Sequence, residues 1–271
     1  MGDSLRLVKR AIETEGSIGV KLYPPMGFAP YGNAGVSVWQ GKPGLPPAAS
    51  EPGFGKRLDS AMEAIFRYCL NNDVPVMAHT NHSNGPNDDF MNLAGSAYWA
   101  IALEKFKGLR VSFGHFGDTD VEDDGTRTRE FLKLFSSQPG SNGSAAFADS
   151  GFYAGVLLNQ GRMRDALAKL YAASANHILR ERLMYGSDWT MILSQENVER
   201  YLSAFMDVMR KVEALQPDAR IRQTTLSNAF FGGNAVDFLG LAKGRPNRQR
   251  VEAFYSKHGV PAPDWMAKID S

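Results

Sequence analysis

Cysteine is nearly absent from this sequence: Cys69 is the one thiol in 271 residues, so no intrachain disulfide braces the fold. An excess of charge is absent too. Thirty Lys and Arg stand against 29 Asp and Glu, which gives no global attraction for nucleic acid or for an anionic membrane surface. No apolar run reaches the ~18 residues needed to cross a bilayer, and Met1-Gly2-Asp3-Ser4 does not open a basic-then-apolar signal segment. These absences predict a cytoplasmic chain whose partner is a small molecule, with neither nucleic acid nor membrane as ligand. What is present, 43% hydrophobic and 22% charged residues, suffices to bury one sizeable core in a single domain over 1–271.

Leu5, Val8 and Ile12 recur at helical spacing and the run ends near Gly16, so 5–15 reads as an amphipathic helix. Ile18 to Tyr23 is a short β-branched run stopped by Pro24-Pro25, a strand meeting a turn. The stretch 24–55 is rich in Gly and Pro, lacks periodicity and is too long for an ordinary connection, which reads as either disorder or, the reading favoured, a lid over a pocket. Leu58, Met62, Ile65, Phe66 and Cys69 share one helical face over 57–71, and Val74 to Ala78 reads as a buried strand with His79 at its C-terminal end. The alternation continues with a helix over 93–106, a strand over 109–113 ending at Gly114-His115, and a helix over 128–135. A short strand over 144–147 ends near Asp149. A helix over 162–179 then precedes Leu183-Met184-Tyr185-Gly186, which ends at Ser187-Asp188. A long helix over 196–215, an apolar stretch over 226–239 and a helical tail near 248–257 close the chain.

Such alternation implies an α/β fold with a parallel sheet and helices outside it. His115 follows His79 by 36 residues, one strand-helix unit, and Asp188 follows His115 by 73, two units. The three residues therefore stand at equivalent strand ends, which in a (β/α) barrel open on the face that holds the active site. Two imidazoles and a carboxylate suit a divalent metal such as zinc. Such an ion acidifies its bound water, and a neighbouring His or Asp can take the proton.

The motifs around these residues resemble the amidohydrolase-related group, also called amidohydrolase 2, which includes lactone hydrolases and nonoxidative decarboxylases. The resemblance rests on Gly19-Val20-Lys21-Leu22-Tyr23-Pro24-Pro25, Pro75-Val76-Met77-Ala78-His79-Thr80 and Val111-Ser112-Phe113-Gly114-His115-Phe116-Gly117. It rests equally on Leu183-Met184-Tyr185-Gly186-Ser187-Asp188-Trp189 and on Asn228-Ala229-Phe230-Phe231-Gly232-Gly233-Asn234-Ala235 with Phe238-Leu239-Gly240-Leu241. It covers about 5–241 and leaves 242–271 as a C-terminal extension. It implies a (β/α)8 TIM-barrel metal-dependent hydrolase that uses one divalent metal, expected to be zinc, on a small carboxylate-bearing substrate. A nonoxidative decarboxylase on the same scaffold is the alternative. By this resemblance His79 is a metal ligand of strand 5, His115 is the strand-6 histidine that binds metal or substrate, and Asp188 is the strand-8 ligand and proton acceptor.

The family also carries a His-x-His pair on strand 1, and no two of the five histidines here, His79, His82, His115, His177 and His258, lie two apart. The chain therefore reads as strands 4 to 8 of the barrel. Either the product is truncated, and acts as a noncatalytic remnant or interaction subunit, or the site is completed by a partner segment or by a homo-oligomer.

Other residues carry weaker signals. Lys21, Tyr23, His82 and Trp189 are candidate substrate contacts; Lys21 could instead bridge metals as a carbamate or form a structural ion pair, His82 could be a solvated loop residue, and the aromatics could be ordinary packing. The acidic run Asp118, Asp120, Glu122, Asp123 and Asp124 lacks the spacing of a calcium loop. The basic run Lys243, Arg245, Arg248 and Arg250 lacks the interleaved aromatics of a nucleic-acid site. Cys69 lies on an apolar helix face and reads as core.

Overall fold

The computed structural model of the chain describes residues 2–42, 45–82, 85–118, 125–136, 146–215 and 224–270. Helices alternate with five short strands, β1 (Val20–Leu22), β2 (Val76–His79), β3 (Val111–Gly114), β4 (Ala146–Asp149) and β5 (Leu183–Met184). The strands follow chain order across the sheet, and the pairs β1–β2 and β4–β5 are parallel. Neighbouring parallel strands need a crossover between them, which the intervening helices supply. Two compact units divide the chain, one holding Met1–Val111 and Val236–Ser271, the other Ser112–Gly140 and Ala146–Ala235. Among the described residues no helix is long and apolar enough to cross a membrane. Asp120, Glu122, Asp123 and Asp124 of the acidic run lie outside the described residues.

In the first unit, helix Phe54–Asn71 buries Met62, Ile65, Phe66 and Cys69 as its spacing predicts, along with Gly55, Asp59 and Tyr68, while Leu58 is half-buried. Tyr68 donates its hydroxyl to Glu13 of helix Gly2–Thr14 (3.0 Å). Alternation in β1 and β2 sends Val20, Leu22, Val76 and Ala78 inward. Lys21 and Met77, paired in register, are exposed on the other face. Parallel sheets ordinarily have both faces covered, so this open face is unusual.

The segment 24–55, expected to be a lid, is folded onto that helix. Asp59 Oδ1 accepts the Gly32 N–H (3.0 Å), the Asn33 N–H (2.9 Å) and Asn33 Nδ2 (2.9 Å), and Oδ2 accepts the Ala34 N–H (2.9 Å). Trp39 Nε1 donates to the Gly27 carbonyl (2.6 Å), and Ala29, Trp39, Ala49, Phe90 and Leu93 form a small apolar core of their own. Gly55 is required there: a Cβ would lie 2.1 Å from the Asn33 carbonyl oxygen.

Three of the four basic tail residues are internal mortar. Arg245 pairs with Asp73 (3.1 Å), Arg248 with Glu252 (2.7 Å) and Asp270 (3.0 Å), and Arg250 donates to the Asn72 carbonyl (2.7 Å). Asn247 ties helix Pro246–Lys257 to the Ile18 carbonyl just before β1 (2.8 Å). The tail thus carries two helices, the second at Asp264–Asp270, packed around Leu241, Val251 and Met266.

In the second unit, β3 and β4 are buried along their whole length, and Phe113 packs on Phe131 of helix Thr126–Ser136 at 4.8 Å between ring centroids. The helix expected over 162–179 runs only over Gln160–Ala173, because Asn176 and His177 turn left-handed (φ 51° and 55°). The helix expected from 196 begins at Tyr201, after Asn197 turns left-handed (φ 59°). The stretch 226–239 is broken by a π turn at Ala229–Gly233. That turn has a use: Phe230 O accepts the Tyr185 N–H (2.8 Å), and Asn234 Nδ2 donates to Leu183 O (2.8 Å), so the chain itself meets backbone groups along β5.

Two expectations follow. Asp59→Ala strands four N–H donors and should lower the urea unfolding free energy by roughly 3 kcal/mol or more; a loss under about 1 kcal/mol would refute the anchoring role. Burial pushes the Cys69 thiol up to about 12 from its usual 9.0, so thiolate is scarce in the folded chain and this group's contribution to stability is full below about pH 9 and declines above it. At pH 8 a disulfide thiol reagent should label native Cys69 at least 100-fold more slowly than the unfolded chain, and labelling at the unfolded rate would contradict it.

Candidate active site

The second unit brings its candidates together at strand ends. β3 runs into His115 and Phe116, both left-handed (φ 64° and 46°), and β5 is followed by Asp188, also left-handed (φ 48°). Left-handed backbone costs a non-glycine residue ~1–2 kcal/mol, and three such residues beside two strand ends mark a place where geometry overrides comfort. His115 Nε2 lies 3.9 Å from Asp188 Oδ2, with the imidazole almost buried and the carboxylate one-third exposed.

Protonation of this imidazole follows from its partner. His115 Nδ1 sits 2.8 Å from the Gly151 carbonyl oxygen, and a carbonyl can only accept, so Nδ1 carries the proton. In the neutral ring Nε2 then offers its lone pair toward Asp188.

Asp149, at the end of β4, is buried between these groups. Its Oδ1 accepts the His115 N–H (3.1 Å) and the Gly151 N–H (3.0 Å), and its Oδ2 accepts the Ser112 hydroxyl (3.3 Å). Behind it, the Tyr201 hydroxyl accepts the Tyr153 N–H (3.1 Å) and reaches the Ser150 carbonyl (3.3 Å). Burial pushes the phenols of Tyr153 and Tyr201 upward, so both remain neutral across the working pH range. Trp189, next after Asp188, is 69% exposed, an apolar surface beside the pair.

The first unit holds the remaining candidates. One residue beyond β1, Tyr23 stacks on His79, with ring centroids 4.3 Å apart and planes 24° from parallel. The register that pairs Lys21 with Met77 puts Lys21, Tyr23 and His79 on one sheet face. His82 is exposed in the following loop, its Nδ1 3.3 Å from Met91 Sδ.

Sequence reasoning missed Asp149, Gly151 and Tyr201. An acid closing a strand candidate was the available signal for Asp149; nothing local marks Tyr201, whose role comes from packing. As for a metal, no three of His, Cys, Asp and Glu cluster as a metal site among the described residues. His115 and Asp188 have the donor chemistry of zinc ligands but fall short of the three protein ligands of a catalytic zinc.

A sequence model of the amidohydrolase family matches residues 2–241. No curated protein sequence matches the chain. Among solved structures, a candidate 2-pyrone-4,6-dicarboxylic acid hydrolase of Pseudomonas putida is 19% identical, with 89% of this chain and 68% of that one covered and a TM-score of 0.46. A second candidate of that description, from Acinetobacter baumannii with citric acid bound, is 16% identical over 89% and 69% of the chains, TM-score 0.44. A TIM-barrel protein of Bordetella bronchiseptica is 16% identical over 67% and 51%, TM-score 0.39. Likenesses this loose carry no chemistry across.

The crowding around Asp149 makes a prediction. A Cβ on Gly151 would lie 2.9 Å from Asp149 Oδ1 and 3.3 Å from His115 Nδ1. Gly151→Ala should therefore cost roughly 1–3 kcal/mol by overpacking, read as a lower Tm in a calorimetric scan, and an unchanged Tm would show the site to be loose.

Proposed function

The chain belongs to the amidohydrolase family, and from that membership we propose that it hydrolyses a small organic substrate bearing a carboxylate, with His115 and Asp188 handling the proton of the attacking water. The supporting observation is the pair itself: Nε2 and Oδ2, 3.9 Å apart, face each other as two acceptors while Nδ1 is committed to the Gly151 carbonyl. A water between them can donate a proton to each, and passing one to Asp188 or His115 as it attacks is general-base catalysis. Lys21, a cation on the sheet face shared with Tyr23 and His79, is the proposed substrate-anion contact, with His82 a further one. Trp189 is the proposed apolar wall.

A divalent ion, proposed as zinc, would supply acidification of water and polarisation of the scissile carbonyl. His115 and Asp188 are its proposed ligands, while His79, in the first unit, is a proposed ligand by family resemblance alone. Because two such donors come together among the described residues, the proton chemistry above is assigned to the side chains themselves.

A second reading has its own observation. Lys21 and Met77 lie exposed on a face that parallel sheets ordinarily cover. We propose that the five strands are the later five of an eight-stranded barrel, and that further chain, or a partner segment, covers this face and completes the site.

The test is hydrolysis of a panel of carboxylate-bearing lactones and amides by the purified chain, with and without zinc. Asp188→Asn and His115→Ala should each lower kcat/KM by about 100-fold or more while the circular dichroism spectrum is kept. Turnover unchanged in both variants would overturn the assignment. Absence of turnover in the unsubstituted chain would favour the composite reading, in which the chain supplies only part of the site.

A further inference from the structure

We propose that Asp149 is a positioning residue for His115: it fixes the imidazole in the tautomer that carries its proton on Nδ1 and presents Nε2 to Asp188. The inference rests on the proposed reaction only for the purpose of that tautomer; the tautomer itself is a property of the resting protein. Asp149 is 5% exposed, and its carboxylate is met by two main-chain N–H groups and one hydroxyl. The two peptides it ties, at His115 and Gly151, are the two that form the lock, since the Gly151 carbonyl accepts from His115 Nδ1. One carboxylate oxygen thus sets the distance between the ring and the oxygen that selects its proton position.

Backbone strain gives the tie something to hold. His115 and Phe116 are both left-handed, a region uncommon for any residue but glycine and strained for one as bulky as Phe116. Removing the acceptor frees the His115 peptide to relax toward extended backbone, which would carry the ring away from Gly151. The enclosure is tight, because a Cβ on Gly186 would lie 3.2 Å from Asp149 Oδ1. Hydrogen bonding, not charge, is the operative property. In Asp149→Asn the amide oxygen can still accept both N–H groups, while the amide nitrogen donates to the Ser112 oxygen.

Long-range proton–nitrogen correlation spectra of protein labelled with ¹⁵N-histidine read the tautomer directly, and only five histidines are present, so His115→Gln assigns the signal. The unsubstituted chain should show the Nδ1–H form of neutral His115 in at least tenfold excess. Asp149→Asn should keep that ratio, and Asp149→Ala should lower it at least tenfold while the far-ultraviolet spectrum is kept. If the alanine variant does not fold, Asp149→Leu, which fills the space without an acceptor, takes its place with the same expected loss. The proposal is overturned by a folded Asp149→Ala or Asp149→Leu with the original ratio, by loss of the ratio in folded Asp149→Asn, or by an unsubstituted ring protonated on Nε2. A chain with no hydrolytic activity but an Asp149-dependent tautomer counts against hydrolysis by this chain alone and leaves this inference standing.

Discussion

A carboxylate taken out of water costs several kcal/mol unless donors meet it, and at Asp149 two main-chain N–H groups and the Ser112 hydroxyl supply them. Two N–H groups can converge on one oxygen only if the peptides at 115 and 151 are brought together at the end of β3 and β4. The left-handed turn at His115 and Phe116 and the absence of side chains at Gly151 and Gly186 are consequences of that convergence. The placement of Nδ1 against the Gly151 carbonyl is another, and with it the direction in which Nε2 faces.

The first unit uses the same device away from the strand ends. Asp59 gathers four N–H donors from the turn at Gly32 to Ala34. Asp73 is gripped by Arg110 (2.8 Å) and Arg245 (3.1 Å), which joins the tail to the loop before β2. In each case a single acid organises irregular backbone that has no ladder of its own, whereas the regular helices and strands are held by apolar periodicity. Division of labour follows: hydrophobic spacing sets the elements, and isolated carboxylates set what lies between them.

That division explains what could be read from the sequence. The buried face of helix Phe54–Asn71 and the alternation of β1 and β2 follow from period alone, and both were legible. So were the strand-end positions of His79 and His115, whereas Asp188 lies in the turn beyond β5, just before helix Trp189–Ile192. Segment 24–55 was not, because its order comes from Asp59 and Trp39, contacts up to 27 residues apart that no local pattern announces. Helix ends at Ala173 and Tyr201 were missed for a related reason: Asn176, His177 and Asn197 adopt left-handed backbone that their sequence permits but does not require. The basic tail looked like a patch and is a set of braces, since charge counts do not reveal partners.

The pair at His115 and Asp188 poses one remaining physical question, namely what lies between two acceptors. At 3.9 Å they are too far apart for a direct hydrogen bond, and with the ring neutral and protonated on Nδ1, neither Nε2 nor the ionised Asp188 carboxylate brings a proton to the gap. A bridging water meets both lone pairs with its own two protons and satisfies the two to four partners a held water needs. A zinc ion satisfies both lone pairs as well but leaves its own coordination short by at least one protein ligand. Among the described residues, the two donors that come together are therefore sufficient for a proton-handling water and fewer than a closed metal site requires.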